Sequence, residues 1–158
     1  VAAVDFGNGQ TFFDKSPLLI RSATGFRNPY VESSYYFTIQ LPGQAGEALQ
    51  AVTIIQQPNL EQIVLYPDRT RAFLGDDANS GAPVTIASAS RTPQGNGIKV
   101  IFAEPVQPGQ TVTVALRGRN PLYGGIYQFD ITVYSAGQDS PGLSLGNGRI
   151  QFTVPSAF

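Results

Sequence analysis

The sequence predicts an all-β, immunoglobulin-like β-sandwich in a single domain, with little or no helix. Three observations carry this. Apolar and polar residues alternate with a period of two along many short segments, as in Ser34–Leu41 and Ile126–Ser135. Alternation of this kind marks half-buried strands, because successive side chains point to opposite faces of a sheet. Turn-forming pairs and triplets punctuate the chain between those segments. Finally, 158 residues suit one domain, and no window shows an amphipathic helix.

The elements follow in order. Val1–Phe6 places Ala2, Val4 and Phe6 on one face of an extended strand, and Gly7-Asn8-Gly9 forms a joint after it. Residues 1–10 read as a segment able to lie outside the core. Strands are expected at Thr11–Phe13 and Leu18–Ala23. In Ser34–Leu41, Tyr35, Phe37, Ile39 and Leu41 share the inner face, with Tyr36, Thr38 and Gln40 opposite. Pro42-Gly43 turns the chain into Leu49–Gln56. One helical turn is expected at Pro58–Gln62, followed by strands at Gln62–Tyr66 and Val84–Ala87. Gly95-Asn96-Gly97 reads as a tight reversal, since Gly and Asn tolerate positive φ, and leads into Ile98–Ala103. Glu104–Leu116 (EPVQPGQTVTVAL) reads as a loop and turn feeding a core strand, with Val112, Val114 and Leu116 inward. Ile126–Ser135 aligns Tyr127, Phe129, Ile131 and Val133. A third reversal is expected at Gly146-Asn147-Gly148, before a last strand at Arg149–Val154.

Composition argues against several functions. Charged residues make up 13% and the formal net charge is −1, so no basic patch for nucleic acid stands out. No apolar run approaches the roughly 20 residues of a membrane helix. The chain has no His, Cys, Met or Trp. It begins VAAVDF rather than with Met, which reads as a mature N-terminus after export. A sulfur-free chain also lacks the oxidation-prone thiol and thioether groups.

Catalytic chemistry finds little to work with. Gly142-Leu143-Ser144-Leu145-Gly146 matches the nucleophile-elbow pattern of serine hydrolases. A serine needs a base, usually His, and the chain has none. Ser144 therefore reads as part of a glycine-rich loop before the final strand, and no catalytic residue is expected. Zinc, copper and haem lose their usual ligands, and no phosphate-binding loop is present. Asp76-Asp77-Ala78-Asn79-Ser80-Gly81 offers the oxygens calcium needs but lacks the alternating spacing of an EF-hand loop. No metal or cofactor is expected.

Two surface features remain. Tyr30, Tyr36, Tyr123 and Tyr134 fall in loops or on outward strand positions, where amphipathic rings can stack on sugars or anchor an interface. The apolar N-terminal strand of Ala2, Val4 and Phe6 can complete its own sheet or add to the edge of a neighbouring subunit.

The C-terminal third carries an ordered set of motifs: Arg119-Asn120-Pro121, Gly124-Gly125, Tyr127-x-Phe129, Ala136-Gly137, Pro141-Gly142 and Gly146-x-Gly148-Arg149. With residues 34–54, Asp68–Phe73 and Glu104–Leu116, they resemble a family of cyanobacterial exported proteins catalogued as domain of unknown function 2808. The resemblance implies a single-domain, signal-peptide-bearing protein and carries over no catalytic residue. In structural terms, Asn-Pro and Gly-Gly would shape a turn, and Arg149 would bond loop carbonyls beside the last strand.

The combined expectation is a non-enzymatic structural subunit, exported to the cell surface or extracellular space, with the periplasm the other compartment open. Its partner would be itself, in a filament, sheath or matrix, with strand donation through Ala2, Val4 and Phe6. The alternative is a carbohydrate-binding module for envelope polysaccharide or exopolysaccharide.

Overall fold

The computed structural model describes residues 4–5, 11–137 and 140–155. Twelve strands form, in order β1 (Val4–Asp5), β2 (Thr11–Phe12), β3 (Leu18–Thr24), β4 (Glu32–Gln40), β5 (Leu49–Gln56), β6 (Val64–Leu65), β7 (Arg71–Leu74), β8 (Ile86–Arg91), β9 (Gly97–Val106), β10 (Thr111–Arg119), β11 (Gly125–Ser135) and β12 (Leu143–Phe152). One sheet runs β3-β4-β10, with β6 and β7 both pairing the free side of β10. The other runs β12-β11-β5-β9-β8. All described pairings within them are antiparallel. The chain crosses between the sheets at β4–β5, β5–β6, β7–β8, β9–β10 and β10–β11, giving an immunoglobulin-like β-sandwich.

The period-two pattern sorts the core as expected. Tyr35, Phe37 and Ile39 of β4 and Val112, Val114 and Leu116 of β10 face Val52 and Ile54 of β5 and Tyr127, Phe129, Ile131 and Val133 of β11, all essentially inaccessible to water. Each such side chain contributes about 2 kcal/mol by leaving water. Edge-to-face rings link the layers through Tyr35–Phe152 and Phe37–Phe129 and tie β11 to β12 within the second sheet through Tyr127–Phe152. Tyr35 and Tyr127 each lie 5.6 Å from Phe152, and Phe37 lies 5.4 Å from Phe129, centroid to centroid.

Several expectations need correcting. The 58–62 segment forms no helical turn, because side chains satisfy its backbone instead. The buried Gln56 amide donates to the Glu61 carbonyl and accepts from the Ile63 N–H. A 3-10 turn forms at Pro67–Arg69, where proline presets the backbone. The expected strand at 62–66 shrinks to β6, and the one at 84–87 shifts to β8. Strand β7 was not expected: its four residues are too few to show a period, and only its pairing with β10 makes it a strand.

The largest correction concerns the last strand. Residues 143–148 are not a loop and reversal but the first half of β12. Ile131 pairs with Gly146 and Thr132 with Ser144, so Leu145 is the extra residue of a β-bulge. Gly146 there takes φ 91°, the conformation that favours glycine in such a bulge. Two residues on, a methyl group at Gly148 would fall 2.3 Å from the Ser22 hydroxyl oxygen. Glycine thus lets edge strands β12 and β3 close one side of the sandwich. The reversal expected at 95–97 does form, with Gly95 at φ 77° between β8 and β9.

Candidate interaction surfaces

The antiparallel order gathers the 25–31, 57–63, 92–96 and 120–124 loops and the end of β12 at one end of the sandwich. The turns at 41–48, 107–110 and 136–142, together with β2, lie at the other. Of the ten large apolar side chains exposed among the described residues, eight belong to the first end: Phe26, Tyr30, Val31, Leu60, Val64, Tyr123, Ile126 and Val154. Hydrogen bonds stitch these segments together. The Thr153 N–H donates to the Arg27 carbonyl, the Asn59 amide to the Ile126 carbonyl, and the Tyr123 N–H to a Glu61 carboxylate oxygen, each at 2.9 Å.

Asn120 organises this end. Its side chain is 1% exposed and fully engaged. The amide donates to the carbonyls of Phe26 and Asn28 at 2.9 and 3.0 Å, and its oxygen accepts the Tyr35 hydroxyl at 2.8 Å. Its backbone N–H donates to the Val31 carbonyl and its carbonyl accepts from the Tyr30 N–H. Held this way, Tyr30 sits at φ 63°, a left-handed conformation costing about 1–2 kcal/mol for a side chain of this kind. Its ring lies 5.1 Å beneath the Arg119 guanidinium and is 54% exposed. The Arg-Asn-Pro motif therefore does more than shape a turn: it holds a strained loop against the sandwich. Burial pushes the Tyr35 hydroxyl well above the ordinary tyrosine range against the opposing pull of Arg117. Tyr127 is raised too, by burial and then by the Glu61 carboxylate.

The four tyrosines predicted as surface rings do not form one site. Tyr30 and Tyr123 share the apolar end. Tyr36 is half-buried on the outer face of the first sheet, across from Ala115. Tyr134 lies on the outer face of the second sheet with the Lys99 ammonium 5.0 Å from its ring. Of the N-terminal trio, Ala2 and Phe6 lie outside the described residues, while the backbone at Val4 pairs with Phe12 of β2. Leu60 and Phe26 were missed as surface residues because isolated apolar residues in loops carry no periodicity. Ile126 is the outward neighbour of Tyr127 in β11. Val154, expected in the last strand in line with Ile150 and Phe152, is exposed because β12 ends at Phe152.

Ser144 is exposed on β12 and its hydroxyl accepts the Gly146 N–H at 3.3 Å, a local strand contact. Asp77 serves its own turn: its carboxylate accepts the Asn79 N–H and its carbonyl the Gly81 N–H. Among the described residues no three acidic side chains converge on a metal-sized space. Arg149 is exposed and bonds no loop carbonyl among the described residues, contrary to expectation. No helix among the described residues is long and apolar enough to cross a membrane.

Fold and surfaces together define an immunoglobulin-like β-sandwich with a rigid apolar end. Residues 10–152 match the model of the family described as "Protein of unknown function (DUF2808)", and the chain belongs to that family. No curated protein matches the sequence. A DUF4466 family protein from Parabacteroides merdae is similar in fold at TM-score 0.51 and 14% identity, over 85% of this chain and 44% of that one. This chain thus spans less than half of that protein. A Nocardia farcinica protein with an immunoglobulin-like fold aligns at TM-score 0.49 and 14% identity, over 85% of this chain and 97% of that one. ACE19, the collagen-binding subdomain of an Enterococcus faecalis surface protein, aligns at TM-score 0.49 and 6% identity, over 89% and 96%.

Proposed function

We propose that the protein is a non-enzymatic, exported structural subunit that associates with copies of itself head to tail at the cell surface or beyond. The observation that supports this is the difference between the two ends of the sandwich, one apolar and exposed and the other carrying the β1–β2 ladder. The exposed cluster around Leu60 and Tyr123 crowns one end. The chain enters at the other, where the Asp14 N–H bonds the Ala45 carbonyl and β1 pairs β2. Unlike surfaces at opposite ends make a heterologous contact, which repeats into a filament rather than closing as a dimer. An apolar end held by buried hydrogen bonds loses little entropy on docking. Strand donation through Ala2, Val4 and Phe6 is the finer form of the proposal, and the two-residue β1–β2 ladder is a small obstacle to it.

Deleting residues 1–8 tests the proposal. The truncated chain is expected to stay folded and run as a monomer by light scattering and electron microscopy while the full chain polymerises. Polymers of normal length from the truncation would refute strand donation, and a full chain that stays monomeric at high concentration would refute self-assembly. The second reading, carbohydrate binding, is favoured by Tyr36, whose half-buried ring lines a hollow with Arg21 on the outer face of the first sheet.

A further inference from the structure

The outer face of the first sheet holds an unusual concentration of charge. Five of the ten basic residues of the chain belong to this face: Arg21, Arg69, Arg71, Arg117 and Arg119. Three of them, Arg69, Arg71 and Arg117, line an open trough of about 320 Å³ with Ser34, and Ala115 forms its floor. The register explains the shape. Ala115 pairs with Arg71 on one side and Tyr36 on the other, while Arg117 pairs with Ser34. A methyl side chain between longer neighbours leaves a hollow. The register sets the backbones of Arg71 and Tyr36 on either side of Ala115, about 10 Å or two strand spacings apart, with Arg71 lining the trough.

The charges in the trough are unbalanced. Glu32 is the one carboxylate engaged there, 2.8 Å from Arg69 and 3.7 Å from Arg117. Asp68 is exposed in the neighbouring turn and does not line the trough. Arg117 also donates to the Ser34 hydroxyl at 3.3 Å. Arg71 is exposed and, among the described residues, makes no hydrogen bond or ion pair. Its planar donor fork is therefore open to a carboxylate or sulfate, the groups such a fork matches with two parallel bonds. Tyr36 borders a separate hollow of about 420 Å³ that Arg21, Asp76 and Asp77 also line. Its ring thus offers a stacking surface beside the cationic trough, while anionic groups are held on the Arg71 side, away from these two carboxylates.

We infer that this trough binds the anionic groups of an acidic polysaccharide, with Arg71 and Arg117 holding a carboxylate or sulfate and Tyr36 stacking on the neighbouring sugar ring. The inference deepens the carbohydrate reading and is independent of self-association, since it uses a sheet face rather than the ends.

The test measures binding of the full chain to polygalacturonate, dextran sulfate and neutral dextran by titration calorimetry at low and at physiological salt. Binding to at least one polyanion and not to neutral dextran is expected, weakening with salt. The carboxylated arm against the sulfated arm tells which anion is recognised. R71E and the milder R71A should weaken binding at least tenfold, Y36A severalfold, and R149E, on the other sheet, hardly at all. Arg71 is exposed, so its variants should unfold like the parent chain. No binding to any of the three polysaccharides would overturn both the inference and the carbohydrate reading, and binding of neutral dextran without either polyanion would overturn the inference alone. Equal binding of neutral dextran that depends on Tyr36 but not on Arg71 would overturn the inference and leave the carbohydrate reading standing. Equal losses in R71E and R149E would also overturn it, because diffuse charge would then explain the binding.

Discussion

The two ends of the sandwich are built differently. At the end where β2 lies, backbone groups close the turns: the Gln110 N–H closes on the Gln107 carbonyl, with Pro108 and Gly109 at the corner, and the Gly109 N–H reaches the Leu41 carbonyl. Such turns hold themselves. At the opposite end, loops carry exposed apolar side chains and depend on buried side chains at and just beyond the strand ends, Asn120 and Gln56 foremost. The contrast teaches that a display surface and a simple connection differ in where their hydrogen bonds come from. A loop that must present apolar groups cannot fold by its own hydrophobicity, so the scaffold supplies its order.

Breaking that arrangement gives the largest expected effect. Asn120→Ala removes the partner of the Tyr35 hydroxyl and of the Phe26 and Asn28 carbonyls together. Unpaired buried polar groups cost roughly 1–3 kcal/mol each, and with partial relaxation the variant should lose about 3 kcal/mol of unfolding free energy in urea. Gln110→Ala at the other end, which loses an exposed contact to the Gln107 N–H, should lose less than about 1 kcal/mol. Equal losses would erase the distinction between the ends.

A smaller effect sharpens the same comparison at the level of association. Leu60 is 79% exposed, so Leu60→Glu should leave folding nearly untouched while weakening self-association about tenfold, roughly 1.4 kcal/mol, by sedimentation. Ser88→Glu, exposed on β8 and away from both ends, should leave it unchanged.

The smallest effect appears only in alkali. Tyr35 and Tyr127 hold their protons more tightly in the folded chain than tyrosine does at its ordinary pKa of 10.0. Their contribution is therefore fully present below pH 10 and declines as pH rises beyond it, because the unfolded chain ionises first. Thermal midpoints should be level with respect to these groups up to about pH 10 and then fall. Tyr35→Phe should be less stable than the parent near neutrality, with a shallower alkaline decline.

Much of the sandwich was legible in the residues, for local reasons. The strand expected at Leu49–Gln56 matches β5 to the residue, and the alternating segments of β4, β10 and β11 placed those strands within a few residues of their ends. The failures share a cause. Gly146 and Gly148 resemble turn glycines by type, yet one serves a bulge and the other a close approach to β3, neither of which exists until distant strands pair. Strand β7 likewise has no pattern of its own. For the surfaces, Tyr36 and Tyr123 were recognisable as outward rings, but the apolar end and the arginine trough were not. Arg71 and Arg117 are 46 positions apart in sequence and meet only because β7 and β10 are neighbours.

The sequence by itself determined which residues turn inward, because side-chain alternation is a property of each strand alone. It also determined that no histidine- or cysteine-based chemistry is available to this chain. Only the tertiary structure decided which loops share an end, which edges close on one another, and which cations stand unbalanced side by side. Those depend on strand order and register, and both are settled by packing between segments far apart in the chain.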